Sequence, residues 1–427
     1  MIKRIILKML FRLLNRSRPF LFSVLTVFTS SLVVAQETGQ SPILLHAARV
    51  FDGTNIRTNT SVLVINGKVA QIDSREAFKS SDAKVIDLGD DATLLPGFIE
   101  LHAHITFQKI PADTVLKHGI TTLRDVGGPV HKPYGGDGSL RVLTSGLIIT
   151  APDGYPIPGM GITNIAAPVS TEEQARETVR NLIEGGAVVI KVALEPGGEA
   201  GAPWVSSHGH GHENQPAAEH ENPHHKPAHS KQAWPLLPEN IVKAIVDEAH
   251  QHDRKVTAHI AEEKGVQIAI GAGIDEWAHV PCDVIPEPLL KKAVARHVKI
   301  VTTIDTLSKC PGIAHNVNTL AALGAEFLYG AEIAHPDIPW GIDAQELIYM
   351  MHMANMQPID VLRTATSKAG RYLNIPLLGT LQPGAPADMI AVKGDPVHAL
   401  KILEYPDLVM SGGKIVLNNF GRSVSMP

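Results

Sequence analysis

Short apolar runs alternate with amphipathic stretches through the middle of the chain, from about residue 97 to residue 375. Runs of this length, rich in β-branched residues, indicate strands. The eight candidate strands are 97–104, 121–126, 141–149, 187–194, 255–260, 276–280, 299–304 and 326–333. A helix is predicted at 239–251, where Ile241, Val242, Ile245, Val246 and Ala249 recur at helical spacing. The rhythm predicts an α/β fold and fits a (β/α)₈ TIM barrel, although a doubly wound open sheet would share it.

Both ends of this central part carry a different, β-rich pattern. Residues 61–65 and 68–72 flank Asn66-Gly67, a strong hairpin signal. Near the C-terminus, 387–392 and 408–417 repeat the pattern. We therefore expect a small composite β-sandwich made of residues 41–95 and 376–427, and a barrel domain at 96–375.

The first 35 residues differ again, because they hold six cations and no acidic residue before and beside an apolar run that ends in small residues. This order is typical of a secretory signal peptide, and it predicts a secreted or periplasmic protein. An uncleaved N-terminal membrane anchor is the alternative. Without this segment, 32 Lys and Arg face 43 Asp and Glu. The acidic balance argues against nucleic acid as a partner.

Histidine, lysine and glutamate side chains fall at the ends of the predicted strands. His102 and His104 end the first strand two residues apart, so both imidazoles can face one ion. Strands four, five, six and eight end near Lys191, His259, His279 and Glu332, respectively. Each residue alone would be an ordinary surface or core residue. Barrel active sites, however, lie where the carboxyl ends of the strands converge, so the set predicts one site.

Three motifs carry a resemblance to a known family. Residues 96–104, Pro-Gly-Phe-Ile-Glu-Leu-His-Ala-His, resemble the first-strand motif of the metal-dependent amidohydrolase superfamily. Residues 119–127 and 379–388 resemble its imidazolonepropionase- and prolidase-like branch. The resemblance covers nearly all of the chain after the signal peptide. It implies a barrel with a composite β-sandwich, and metal ligands at His102, His104, Lys191, His259 and His279.

The resemblance also implies the cofactor, which is two divalent metal ions, with zinc expected, bridged by a carboxylated Lys191. A lysine ammonium cannot bind a cation, whereas its carbamate is an anion with two oxygens. Two metals lower the pKa of a bridging water and polarise a carbonyl. The strand-eight carboxylate of Glu332 is expected to bind metal and to transfer the proton to the leaving nitrogen. The family usually has Asp there, so the longer Glu332 departs from the pattern, and Asp337 is a weaker substitute.

Arg124 and Tyr155 are candidate substrate-binding residues on the second and third strands' loops. An internal ion pair is equally compatible with Arg124, and plain packing with Tyr155. Cys282 and Cys310 follow neighbouring strands, so either a disulfide or two free thiols fits the sequence.

A histidine-rich insertion at 206–230 follows Lys191 and holds seven of the 21 histidines. Its composition cannot form a core. It is a solvated insertion, an arm that gathers metal, or a lid, in that order of preference.

Together these features predict an exported metal-dependent amidohydrolase acting on a small molecule: a dipeptide, an N-acyl amino acid or a cyclic amide. Two alternatives remain open: a zinc-binding or storage protein on a degenerate hydrolase scaffold, and a lactone or phosphotriester hydrolase. A homo-oligomer is compatible with the sequence, which does not fix the substrate or the metal.

Overall fold

The computed structural model describes residues 41–79, 82–199, 201–202, 233–335 and 337–421. The predicted signal peptide and the histidine-rich insertion at 206–230 lie outside the described residues. Within those residues, no helix has the length and apolar character needed to cross a membrane.

The elements fall into β-rich ends and a βα middle, as the sequence predicts. The strands are β1 (Ile43–Phe51), β2 (Ile56–Ile65), β3 (Lys68–Ser74), β4 (Lys84–Asp87), β5 (Ala92–Pro96), β6 (Phe98–Ala103), β7 (Ile120–Asp125), β8 (Arg141–Thr144), β9 (Ile148–Thr150), β10 (Ala166–Pro168), β11 (Val189–Leu194), β12 (Lys255–Ile260), β13 (Glu276–Trp277), β14 (Lys299–Val301), β15 (Glu326–Leu328), β16 (Met389–Lys393), β17 (Leu408–Ser411) and β18 (Lys414–Asn418). The helices are α1 (Ile105–Gln108), α2 (Ala112–Lys117), α3 (Ile157–Met160), α4 (Glu172–Gly185), α5 (Glu239–Gln251), α6 (Glu263–Ala272), α7 (Glu287–Ala295), α8 (Ile313–Ala322), α9 (Ala344–Met353), α10 (Pro358–Thr364) and α11 (Ser367–Tyr372).

One sheet combines strands from both ends of the chain. Its order is β18-β17-β16-β5-β1-β2-β3, with β4 paired to β1, and the antiparallel pair β5–β16 joins the two ends. The predicted hairpin is present between β2 and β3. Its turn residues Asn66 and Gly67 both have positive φ (49° and 75°), as a type I′ turn requires. The division into a β-sandwich domain and a barrel domain stays a prediction.

The central strands pair in parallel and close into an α/β barrel. One segment has the order β6-β7-β8, and the other β10-β9-β11-β12-β13-β14-β15. A hydrogen bond from Val188 N to Thr144 O joins the segments at one seam. At the other seam, Ala103 forms a parallel bridge with Ile333, and His104 N donates to Ile333 O at 2.9 Å. The first and last strands are therefore joined, which an open sheet would not allow.

The strand boundaries differ from the sequence prediction at four places. The predicted third strand is two strands, β8 and β9, because Gly146 (φ 69°) breaks it. Strand eight ends at Leu328, and Glu332 (φ 64°) lies beyond it in the left-handed region. Strand six is only Glu276–Trp277, so His279 lies in the following loop. Lys191 lies within β11 rather than at its end.

Helix α5 shows how the apolar pattern fixes the outer layer. Its five apolar residues at helical spacing are all buried, as predicted from the sequence. Pro238 precedes the helix as its N-cap, where the missing N–H of proline costs nothing. Each buried aliphatic side chain contributes about 1.5–3 kcal/mol relative to an exposed one.

Cys282 and Cys310 form a disulfide, which answers the question that the sequence left open. It ties the loop after β13 to the loop after β14. Cys282 is fully buried, and its carbonyl oxygen accepts a hydrogen bond from Gly312 N at 2.7 Å. The crosslink therefore fixes the loop that carries His279.

Buried carboxyl groups lie between the barrel and helix α9. Asp343 caps this helix, its Oδ1 accepting from Gln345 N, while its own N–H donates to the Tyr329 hydroxyl at 2.9 Å. Glu346 Oε2 accepts from Asp305 N at 2.7 Å. Burial raises the pKa of Glu346 to about 8, and burial with the nearby Asp305 carboxylate raises the pKa of Asp343 to about 7.

Replacing both cysteines by alanine is expected to lower the free energy of unfolding by about 2–4 kcal/mol, because the disulfide restricts the unfolded chain. The two cysteines are 28 residues apart. Urea denaturation followed by circular dichroism measures the difference. Alkylation of the unfolded parent, with and without reductant, is the control for the crosslink. Equal unfolding free energies for parent and variant would contradict the prediction.

Replacing Glu346 by glutamine is expected to make the protein's stability less sensitive to pH. Because burial raises the pKa of Glu346, folding favours its protonated form. The stabilisation is complete below about pH 4.5 and is lost as the pH rises through about 8. Glutamine keeps the acceptor for Asp305 N without ionising. Melting temperatures between about pH 4 and pH 9 measure the effect. The exposed Glu287→Gln is the control, and parallel curves for parent and Glu346→Gln would refute the idea.

Candidate metal centre

The six predicted site residues meet at the carboxyl end of the barrel. His102 lies in β6, Lys191 in β11 and His259 in β12, while His104, His279 and Glu332 follow strand ends. All are buried except His104, which is partly exposed. Parallel pairing aligns these strand ends, so residues far apart in sequence come within contact distance.

His102, His104 and Glu332 form a group compact enough to hold one metal ion. The Nε2 atoms of His102 and His104 lie 3.2 Å apart, and Glu332 Oε1 lies 4.0 Å from the first and 3.7 Å from the second. His102 Nδ1 donates to Ala278 O at 2.8 Å. The neutral ring therefore keeps its lone pair on Nε2, directed at the group.

His259 and His279 form a second pair of imidazoles. His259 Nδ1 lies 2.9 Å from His279 Nε2, and the other nitrogen of His279 lies 2.9 Å from the Thr303 hydroxyl. Lys191 lies near both histidine pairs: its Nζ is 3.4 Å from His102 Nε2, and its charge acts on His259 and His279. Glu332 Oε2 is 3.8 Å from His279 Nδ1, so its carboxylate faces both pairs.

Burial dominates the electrostatics of the site. It lowers the pKa of His102, His259 and His279 well below the ordinary value, with the nearby Lys191 charge acting in the same direction. Burial also lowers the pKa of Lys191 to about 7. The imidazoles are thus held neutral, and the lysine amine is readily available in its uncharged form. Neutral imidazole and amine nitrogens are electron-pair donors.

These donors fit a divalent metal. Two buried polar atoms, His104 Nδ1 and Glu332 Oε2, have no hydrogen-bond partner within the part of the chain that the structure describes. The Nε2 atoms of His102 and His104 face each other at 3.2 Å, and the His102 atom carries a lone pair rather than a proton. Imidazole nitrogens and a carboxylate are ligands that zinc and similar ions prefer.

Glu100 is a site residue that the sequence reasoning missed. It is fully buried, its Oε1 accepts from His102 N at 2.6 Å, and both of its oxygens accept from Ala331 N. It thus connects the first-strand histidine motif to the residue before Glu332. The sequence did offer a signal: Glu100, His102 and His104 are spaced two residues apart, and such residues lie on the same face of a strand.

Three other candidates lie in different surroundings. Arg124 is buried, and its guanidinium makes a two-pronged ion pair with Glu276 at 2.6 and 3.0 Å, so the internal ion pair that the sequence left open is present. Asp337 is exposed and pairs with Lys309 at 3.9 Å. Tyr155 does adjoin the site, because its ring stacks on His259 with the centroids 4.4 Å apart.

Sequence comparison identifies related proteins. The profile of the amidohydrolase family matches residues 93–416. The ochratoxinase of Aspergillus niger is 25% identical over 458 aligned residues, which cover 90% of this chain and 88% of that protein. An uncharacterized protein of Mycobacterium tuberculosis is 24% identical over 356 residues, covering 76% of this chain and 85% of its own.

Solved structures share the fold. A Xaa-Pro dipeptidase with bound methionine superimposes with a TM-score of 0.67 at 20% identity, covering 88% of this chain and 99% of that chain. The Aspergillus niger ochratoxinase structure gives 0.68 at 19% identity, covering 88% and 96%. At such identities the likeness establishes the barrel architecture, and the activity must be argued from the site.

Proposed function

The chain belongs to the amidohydrolase family and is a hydrolase of carbon–nitrogen bonds, and on this basis we propose that it cleaves a small amide, peptide or cyclic amide with the help of two divalent metal ions. One observation carries the proposal: six side chains of ligand type converge at the carboxyl end of the barrel. They are His102, His104, Lys191, His259, His279 and Glu332.

The metal-binding roles follow from the two groups of donors. His102, His104 and Glu332 would hold one ion, and His259 and His279 the other, with Lys191 between them. A buried amine with a pKa of about 7 is available in the neutral form that reacts with carbon dioxide. The resulting carbamate has two oxygens for two ions. Zinc or a similar ion bound there would lower the pKa of a water molecule and polarise the substrate carbonyl.

Glu332 is the proposed proton carrier. Its carboxylate faces both histidine pairs and is about 10% exposed, so it can meet a water molecule and a substrate together. It would take the proton from the attacking water and deliver it to the leaving nitrogen, which cannot depart as an anion. The buried imidazoles of His102 and His279 do not compete for this proton, because burial keeps their pKa values low.

The names of related proteins support small-molecule substrates. Two are an ochratoxinase and a Xaa-Pro dipeptidase. We therefore propose a dipeptide, an N-acyl amino acid or a cyclic amide as the substrate. Lactone or phosphotriester hydrolysis would use the same metal chemistry. A zinc-storage role is disfavoured, because storage gives no reason to bury a lysine among the ligands. Export by the N-terminal signal peptide, the composite β-sandwich and a homo-oligomeric state remain part of the proposal.

A hydrolysis panel on the metal-loaded protein tests the proposal. It should contain dipeptides including Xaa-Pro, N-acyl amino acids and cyclic amides, with a lactone and a phosphotriester for contrast. We expect turnover of a C–N substrate that a chelator abolishes and zinc restores. Lys191→Ala should bind less metal per chain by elemental analysis. Two bound metals with turnover of the lactone or phosphotriester alone would reassign the substrate, and no turnover at all would refute the proposal.

Replacing Glu332 by glutamine is expected to lower kcat by about 10²- to 10⁴-fold, because the amide cannot carry the proton. Glu332→Asp keeps the charge but shortens the reach by one methylene, so a smaller loss is expected. Steady-state kinetics on a substrate from the panel, with metal content measured for each variant, separates proton transfer from metal loss. An unchanged kcat for Glu332→Gln would remove the assignment.

A further inference from the structure

We propose that Tyr155, Trp234 and the loop carrying Glu195 form a brace that positions the His259 ring for metal binding. The inference rests on the proposed function, since it takes His259 to be a metal ligand. The brace is defined here as Tyr155, Trp234 and residues 195–197. These residues act through His259 and are therefore positioning residues.

The face of the His259 ring is covered by an aromatic stack. Tyr155 lies 4.4 Å from it between centroids, with the ring planes only 12° apart. Trp234 in turn stacks on Tyr155 at 5.8 Å and 28°. Two aromatic rings contact Tyr155, so its own ring packs between them. A near-parallel stack restricts the tilt of the imidazole plane.

The loop after β11 holds the other end of this stack. Trp234 N donates to Pro196 O at 2.7 Å, and Gly197 N donates to Glu195 Oε1 at 2.7 Å. A β-carbon on Gly197 would lie 3.0 Å from two ring atoms of Trp234, so any larger residue would crowd the indole. Gly197 also has a φ of 80°, which glycine adopts without strain.

Glu195 completes the brace at the edge of the imidazole. Its Oε2 lies 3.6 Å from His259 Nε2, and the side chain is buried. The opposite nitrogen, Nδ1, faces His279. Stacking thus sets the plane of the ring, and the Glu195 carboxyl group packs against the edge that faces away from His279. Outer-sphere groups in contact with a metal-binding imidazole help to orient it.

The two chain segments on either side of the insertion both help to position His259. Glu195 precedes the insertion and Trp234 follows it, and the hydrogen bond between Trp234 and Pro196 joins the two sides. Contacts then run in a closed path: His259 to Tyr155, to Trp234, to residues 196–197, to Glu195, and back to His259. Replacing one residue of this path removes a contact from each of its two neighbours, and this loosens the His259 ring.

The test compares Trp234→Leu with Trp234→Phe. We expect Trp234→Leu to weaken binding of the metal assigned to His259 and His279 by about 10- to 100-fold, as removal of outer-sphere partners does. Trp234→Phe keeps an aromatic face and should recover most of the affinity. Zinc affinity is measured by competition with a chromophoric chelator. The visible absorption of the cobalt-substituted protein reports ligand geometry independently of turnover.

Controls separate positioning from general destabilisation. Tyr405→Leu removes a different aromatic contact with a histidine, His118, and should leave metal affinity unchanged. Melting temperatures are recorded for every variant. If Trp234→Leu does not fold, Tyr155→Leu replaces it, with the same expected loss of affinity.

Two results would overturn the inference. One is a folded Trp234→Leu or Tyr155→Leu protein with the parent's zinc affinity and cobalt spectrum. The other is an equal loss of affinity in Trp234→Phe and Trp234→Leu, which would show that an aromatic face is irrelevant. A parent protein that binds no metal would instead contradict the proposed function itself, so the two failures are distinguishable.

Discussion

The candidate site depends on the hydrogen bonds that the Glu100 side chain accepts. It accepts N–H groups from His102 in the first barrel strand and from Ala331 beyond the last, from within a fully buried position. Backbone donors in such surroundings are costly to leave unpaired, so the side chain sets both segments at once. The histidine motif and Glu332 come from opposite ends of the barrel sequence. Their mutual placement at the seam therefore depends on the Glu100 side chain together with the backbone bridge between Ala103 and Ile333.

The same seam supports the unusual backbone conformation of Glu332. Glu332 adopts a left-handed backbone conformation, which costs of order 1–3 kcal/mol and requires support. The support comes from Glu100 at Ala331 N, from the Thr306 hydroxyl at Ala331 O, and from the bridge between Ala103 and Ile333. The longer side chain then starts from a backbone direction that brings its carboxylate beside both first-strand histidines.

Much of the fold and the outline of the site could be predicted from the sequence. Apolar periodicity gave the strands and helix α5, because burial on one face is a local pattern. The convergence of His102, Lys191 and His279 followed from the rule that barrel sites lie at strand ends. The strand ends themselves were missed, since positive φ at Gly146 and Glu332 depends on tertiary contacts. The partner of Arg124 and the stack of Trp234 on Tyr155 were missed for the same reason: no local pattern encodes a pair that lies far apart in sequence.

The two ends of the chain segment interrupted by the insertion are both fastened to the barrel. On one side Ala202 is buried and its N–H donates to Glu199 O, while on the other Trp234 is held by Pro196 O. The entropic cost of closing a loop between fixed ends grows only slowly with its length. This position is therefore a suitable insertion site for protein engineering. A foreign peptide, or a small domain whose termini lie close together, can be inserted here at the carboxyl end of the barrel without changing the length of any barrel strand.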